Sequence, residues 1–437
     1  MSGSSGVTPD ATAATAGGRR RVLVLASTFP AGPDDPVPAF VRDQVVALAE
    51  AHPDLEFHVL APHDRRSDTV DRSEHGSYTE HRFHYAWPRR FERLAGRGIM
   101  PALRESPILY AVVPALFLGE WRAARRLARE LRPAVFYAHW FTPQAVVASW
   151  VARAARIPFV LTTHASDVAV WRKIPLIGPR IVRSVARRAS AMTAVSSRTR
   201  AKLTAFLPES DAERVEIIPM GVPVGPVADI ARRTAARERW GLGAAPTALF
   251  IGRLVEKKGV EYLLDALAAP GPAAGWRLLL AGDGPLRAAL EARAAEIGLA
   301  DRVTFLGFAS GEDKADAFAA ADAMVVPSVV SSDGDAEGLP VALLEGLAAG
   351  LPCIATRESG ADDILTDGVD GYLCGERDSA ALAAALAGVA ALSPVDEAGL
   401  RARARALADS FAWPVIAARH ADALFRPLGI TGERAAR

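Results

Sequence analysis

Short apolar runs alternate with amphipathic stretches along most of the chain, and their lengths predict strands followed by helices. Val22–Thr28, directly after three arginines, is a run of strand length. A Pro/Gly-rich loop spans Phe29 to Pro38, and Phe40–Ala51 then places Val41, Val45, Leu48 and Ala49 at helical spacing. Phe57–Ala61, Ala134–His139 and Pro158–Thr163 are further strand-length runs, the last two each followed by a helical segment. The pattern restarts after Pro219-Met-Gly-Val-Pro223, which reads as a linker. Beyond it, Ala248–Gly252, Arg277–Ala281, Val303–Leu306, Ala323–Pro327 and Cys353–Thr356 read as strands. Helices are expected over Gly259–Ala268, after Pro285 as far as Ile297, and between Pro340 and Gly350. Such alternation predicts parallel, doubly wound sheets. The restart predicts two successive Rossmann-like units of roughly two hundred residues, within the usual size of a domain. Ligands of open α/β sheets bind beyond the carboxyl ends of the strands, so the cleft between two such units is the expected site.

Composition narrows the class without changing that picture. Half of the 437 residues are apolar and 23% are charged, which excludes a wholly disordered, collagenous or coiled-coil chain. Cys353 and Cys374 are the only cysteines, too few for a disulfide framework or a cysteine-rich metal site, and they suit reduced thiols in the cytoplasm. Residues 1–18 are small and polar, with no apolar signal-peptide core, and are expected to form a disordered tail. The longest apolar run, Pro107–Gly119, has 13 residues. A membrane span needs ~20, so a buried helix is expected there.

The net charge of +1 conceals a division. Residues 150–205 hold 11 basic side chains against one acid, whereas residues 206–437 hold 22 against 33. A basic first half joined to an acidic second half predicts domains with different partners. Lysine is scarce, five against 46 arginines, and two of the five are the adjacent Lys257 and Lys258.

Three constellations carry chemistry. In Gly252-Arg253-Leu-Val-Glu-Lys257-Lys258-Gly259 a strand ends and a helix begins. A helix N-terminus favours an anion, and Arg253 with Lys258 would make it a diphosphate clamp. A solvated basic loop is the plain alternative. In the second, Glu337-Gly-Leu-Pro340 leads into an apolar helix that contains Glu345. Carboxylates placed there could accept hydrogen bonds from sugar or ribose hydroxyls, or could simply be a loop acid and a paired helix acid. The third, Thr162-Thr163-His164-Ala-Ser-Asp167, points a strand-end histidine toward the crevice, in a catalytic or a hydrogen-bonding role. His139, at the end of Phe136-Tyr-Ala-His139-Trp140, reads as structural.

Together these motifs resemble the retaining, family 4 type of GT-B glycosyltransferase (glycosyl transferases group 1), over roughly residues 20–425. The most specific part is the glutamate pair Glu337 and Glu345, with seven residues between, about eighty residues after Gly252-Arg253-Leu. His139-Trp-Phe-Thr-Pro-Gln144, Ala194-Val-Ser-Ser197, Ile218-Pro-Met-Gly221, Ala281-Gly-Asp-Gly-Pro285 and Phe411-Ala-Trp413 also match, and Asp333-Gly-Asp335 looks like a variant found in polysaccharide-building members. The resemblance implies a GT-B architecture of two facing Rossmann-like domains with an interdomain cleft. The acceptor domain would span 19–222, the nucleotide-sugar domain 223–405, and a closing helix in 406–437 would return to the first domain.

It also implies roles. Arg253 and Lys258 would hold the donor diphosphate, Glu337 the donor sugar and Glu345 the ribose. Backbone amides near Leu339 and Val341 would meet the phosphates, with Gly32, Gly252 and Gly338 at the donor site and His164 near the reacting sugar. A hexose would pass from a nucleotide diphosphate sugar to an acceptor hydroxyl with retention, without cofactor or obligatory metal. Asp333-Gly-Asp335 mimics a metal-binding Asp-x-Asp, but the Arg/Lys clamp would do that neutralisation. The basic first half suits an anionic or lipid-linked acceptor and peripheral contact with an anionic membrane at its cytoplasmic face; no nucleic-acid partner is expected. Three departures stand out: Ala165 and Ala39 replace usual glycines, and Asp363 of Gly360-Ala-Asp-Asp363 replaces a usual glutamate. An inactive nucleotide-sugar-binding helper subunit and a nucleotide-sugar epimerase share the architecture and remain the rivals.

Overall fold

In the computed structural model the described residues are 19–430, except 33, 34, 36, 67, 68, 96, 97 and 165. The expected tail at 1–18 therefore lies outside the described residues. The first eight strands are β1 (Arg20–Leu25), β2 (Leu55–Pro62), β3 (Arg72–Glu74), β4 (Tyr78–Phe83), β5 (Val135–His139), β6 (Phe159–Thr163), β7 (Ala191–Ala194) and β8 (Val215–Ile217). They form one sheet in the order β3-β4-β2-β1-β5-β6-β7-β8, parallel except for the antiparallel β3 edge. Six more strands are β9 (Thr247–Ile251), β10 (Arg277–Ala281), β11 (Val303–Gly307), β12 (Ala323–Val326), β13 (Cys353–Thr356) and β14 (Tyr372–Cys374). They form a second sheet, wholly parallel, in the order β11-β10-β9-β12-β13-β14. Each sheet reverses strand order beside its first strand, β1 or β9, which is where such folds bind ligands.

The apolar runs become central strands because both sheet faces are covered. Leu23 and Leu25 face one core of the first domain and Val22 and Val24 the other. Ala248 and Phe250 are divided from Leu249 in the same way in the second. The end of the chain completes the first domain. The Trp413–His420 helix packs against the Phe40–Ala51 helix, and Ala417, Ala421, Leu424 and Phe425 are buried in the first-domain core. By contrast, Ala404 and Ala408 of the preceding Pro394–Asp409 helix are buried in the second. The chain thus crosses twice at one place: the Val222 amide donates to the Phe411 carbonyl at 2.9 Å, and the Trp413 amide returns to the Val222 carbonyl at 3.3 Å. A Cβ on Gly221 would lie 2.4 Å from the Trp413 ring, so the crossing needs glycine there.

One expectation is corrected, and one strand was not foreseen. Pro107–Gly119 is not one buried helix. It divides into a 3-10 turn, Pro107–Val112, and the start of the Val113–Leu131 helix, with Ile108, Tyr110 and Leu118 exposed. The proline inside it, Pro114, suits the first turn of a new helix rather than the middle of one. The strand β4 also escapes the pattern, because Glu80, His81 and Arg82 are buried within it. The buried Glu80–Arg82 ion pair makes this possible. The Arg82 guanidinium also donates to the carbonyls of Pro62 (3.0 Å) and Phe29 (2.9 Å), fixing the start of the loop after β1.

Candidate active site

The donor side is built from the loops that follow β9 and β12. Gly259 has φ +63°, and a Cβ on it would meet the Pro327 carbonyl at 1.9 Å. Only glycine lets the 3-10 turn Glu256–Lys258 press onto the loop after β12. That contact brings two ammonium groups to one carboxylate. Lys258 Nζ lies 3.3 Å from Glu337 Oε1, and Lys257 Nζ lies 3.6 Å from the same atom and 3.2 Å from Asp335. Burial alone would raise the Glu337 pKa, but the charges of Lys258 and Lys257 prevail and hold it near 2. Glu337 is therefore an ionised, largely buried carboxylate, and its Oε1 has no well-directed hydrogen-bond donor.

Gly338 links this loop to the other domain. A Cβ there would fall 2.0 Å from the His164 carbonyl, so the end of β6 touches the Glu337 loop directly. His164 is buried, with Nε2 2.9 Å from His139 Nδ1 and ring contacts to Trp140 and Phe40. Burial, reinforced by the nearby His420, pushes its pKa down to about 3, so the imidazole is neutral at neutral pH. Ala165 of the same motif lies outside the described residues. The Asp363 departure has a visible use. Its carboxylate accepts the Ser197 amide at 2.6 Å, at the start of the Ser197–Thr204 helix, where an anion is favoured.

Arg253 sits at the cleft with its guanidinium 3.1 Å from Glu105, on the Ile99–Glu105 helix of the first domain. The adjacent Arg104 pairs with Asp333. Glu345, one turn into the Val341–Ala348 helix, accepts from Lys314 Nζ at 2.6 Å. The pair lines a cavity of about 800 Å³ with Arg232, Arg233 and Phe318.

Residues 41–225 match the family described as Glycosyltransferase Family 4, and residues 245–391 match Glycosyl transferases group 1. The GDP-mannose-dependent alpha-(1-6)-phosphatidylinositol monomannoside mannosyltransferase of Mycolicibacterium smegmatis is 30% identical over 320 residues, 71% of this chain and 81% of that protein. This chain belongs to glycosyltransferase family 4. The 2-deoxystreptamine glucosyltransferase of Streptomyces kanamyceticus is 32% identical over 48% of the chain and 56% of its own length. Among solved structures, Anabaena HepE in complex with UDP and glucose aligns with TM-score 0.67 at 19% identity, covering 92% of this chain and 99% of that one. Sucrose-phosphate synthase from Thermosynechococcus elongatus aligns with TM-score 0.72 at 21% identity, over 94% and 99%. At these identities the structures establish the GT-B fold.

Within the glycosyltransferase, the structure gathers Gly252, Lys258, Glu337 and Gly338 at the cleft with the backbone of His164, and adds Arg253 at its rim. Leu339 and Val341 lie at the start of the Val341–Ala348 helix, whose first amides have no intrahelical acceptor. Gly32 stands in the loop after β1, and among the described residues a Cβ there would meet nothing within 4 Å, so its backbone faces open space. Asp333 and Asp335 are not a free acidic loop, since Arg104 and Lys257 neutralise them. Sequence reading passed over Lys257, Arg104 and Glu105. The Lys257-Lys258 doublet among five lysines was a usable signal, whereas nothing local ties residues 104 and 105 to 333 and 253.

Among the described residues one group, His63, Asp71 and His84, brings three ligand-type atoms within 4.8 Å. The two imidazoles are stacked 3.8 Å apart with a 1° interplanar angle, so no single point lies in both ring planes. Asp71 satisfies both rings as an acceptor, 2.8 Å from His63 Nε2 and 3.3 Å from His84 Nε2. No single helix among the described residues is long and apolar enough to cross a membrane.

Proposed function

We propose that this enzyme transfers a hexose from a nucleoside diphosphate sugar to an acceptor hydroxyl with retention of configuration. The observation that carries the reading is Glu337, a largely buried carboxylate held ionised by Lys258 and Lys257 and followed by Gly338, which packs against the backbone of His164. In this reading the Glu337 carboxylate accepts a hydrogen bond from a hydroxyl of the donor sugar. Lys258 and Arg253 lie where a diphosphate leaving group develops charge. In this reading the bond from the anomeric carbon to the diphosphate breaks and the bond from the acceptor oxygen forms on the same face. The acceptor proton passes to the departing phosphate oxygen, so no protein base or metal is required. His164, neutral, serves as a hydrogen-bonding wall near the sugar, and Glu345 holds the ribose.

The relatives suggest GDP-mannose as the first donor to test and a lipid-borne acceptor. Arg180, Arg183, Arg187 and Arg188 of the Ile177–Arg188 helix, beside the exposed Ile174, Leu176 and Ile177, support peripheral contact with an anionic membrane from the cytoplasm. The test is nucleotide release from GDP-mannose and UDP-glucose, with and without a lipid extract as acceptor. Release that depends on acceptor, with an α-linked product, is the expected result. Sugar interconversion without release would indicate an epimerase, and binding without turnover a helper subunit. Vesicles with anionic lipid should bind more enzyme than neutral ones, and less at high salt; equal binding to both would remove the membrane from the reading.

A further inference from the structure

The Ile99–Glu105 helix reaches across the cleft with two adjacent residues of opposite sign. Arg104 pairs with Asp333, and Glu105 pairs with Arg253 at 3.1 Å. Their partners Arg253 and Asp333 precede Lys258 and Glu337 by five and four residues in the chain. The helix is short, begins after Gly98 at φ +99°, and is held to its own domain by the buried Ala102 and Leu103. Both cations proposed to face the diphosphate thus have a carboxylate partner, but the two partners differ in kind. Glu337 belongs to the same domain as Lys258. Glu105 comes from the opposite domain and can leave.

We propose that Glu105 is a built-in stand-in for the donor diphosphate, holding Arg253 until the nucleotide sugar displaces it, with Arg104 and Asp333 fastening the helix that carries it. The inference rests on the reading of Arg253 as a diphosphate contact. The pair is partly open to solvent, with side-chain exposures of 42% for Glu105 and 27% for Arg253. Such pairs contribute little, and a diphosphate carrying more charge than one carboxylate can displace it. Glu105 is then a positioning residue that sets donor affinity: it keeps Arg253 extended into the cleft and competes with weakly charged ligands for it.

The experiment measures dissociation constants of GDP and UDP, each against its monophosphate, for the full chain and for Glu105→Gln, Glu105→Ser, Arg253→Gln and the Glu105→Gln/Arg253→Gln double variant. Removing the competitor should tighten the bound nucleoside diphosphate by ~2–5-fold, the range of an exposed ion pair, and the monophosphate less. Both Glu105 variants should do this, and a merely structural role would not tighten binding. Arg253→Gln should weaken the diphosphate, and the Glu105 effect should vanish in the double variant. If Arg253→Gln weakens binding while the Glu105 variants leave it unchanged or weaker, the stand-in is overturned and the diphosphate reading survives. If Arg253→Gln changes nothing, both fall together.

Discussion

On the first-domain side of the cleft, His139 and His164 are buried among aromatic rings and His420 is buried beside them in the first-domain core, and burial drives each imidazole toward its neutral form. On the second-domain side, Lys257 and Glu337 are held charged, their attraction overcoming the desolvation that opposes it, and Lys258 adds its ammonium beside the same carboxylate. The polar groups on the two sides have opposite electrostatic characters. A neutral wall does not compete for the anionic donor, whereas a wall of fixed, preorganised charge can stabilise a leaving diphosphate without reorganising. Local chemistry decides this difference more than burial does, since His164 and Glu337 are both largely enclosed.

The largest effect should follow removal of charge from the second wall. Lys258→Ala should lower kcat by ~10²–10³-fold, the scale for losing one preorganised electrostatic group. Glu345→Gln, at the residue proposed to hold the ribose, which does not change in the reaction, should act mainly on donor KM. Steady-state kinetics on folded variants separate the two, and a Lys258→Ala enzyme with normal kcat and raised KM would remove the leaving-group role. Next comes the joint between the walls. Gly338→Ala places a Cβ 2.0 Å from the His164 carbonyl, so the domains must part. A misplacement of ~1 Å costs about 10²-fold, and that loss in kcat/KM is expected with little change in Tm. An unaffected Gly338→Ala enzyme would show that this contact is not part of the active arrangement.

The neutral wall gives a smaller, pH-dependent effect. His164 and His420 titrate near 6.5 when unfolded and near 3 in the fold. The fold accepts their neutral forms, so the stability they contribute is complete above pH 6.5 and is lost as pH falls from there toward 3. Urea unfolding should lose roughly 1 kcal/mol per pH unit for an imidazole titrating in that window. His420→Gln should show a shallower loss, and identical slopes would exclude His420 as a titrating group. Glu337 adds a loss of the same sign at lower pH, between 4.5 and about 2.

The two sides also differed in how legible they were. The motifs around Gly252, Glu337 and His164 were readable because each sits where a loop meets an apolar run, after a strand for Gly252 and His164 and before a helix for Glu337, a local signal. The polar strand Tyr78–Phe83 was not, because burying Glu80 and Arg82 depends on a pairing that hydrophobic patterning cannot register. Pro107–Gly119 misled for the converse reason: its composition is apolar throughout, but Pro114 starts a new helix and several of its side chains face outward. The Arg104–Asp333 and Glu105–Arg253 pairs join residues far apart in the chain, and only folding brings them together.

The central claim is that fixed cations of the protein, Arg253 and Lys258, supply the positive charge at the donor diphosphate. Its most direct test is the initial transfer rate after exhaustive chelation with EDTA, compared with the rate after Mg²⁺ or Mn²⁺ is added back. An unchanged rate in all three conditions is expected. Loss of activity with EDTA and its recovery with either ion would contradict the claim.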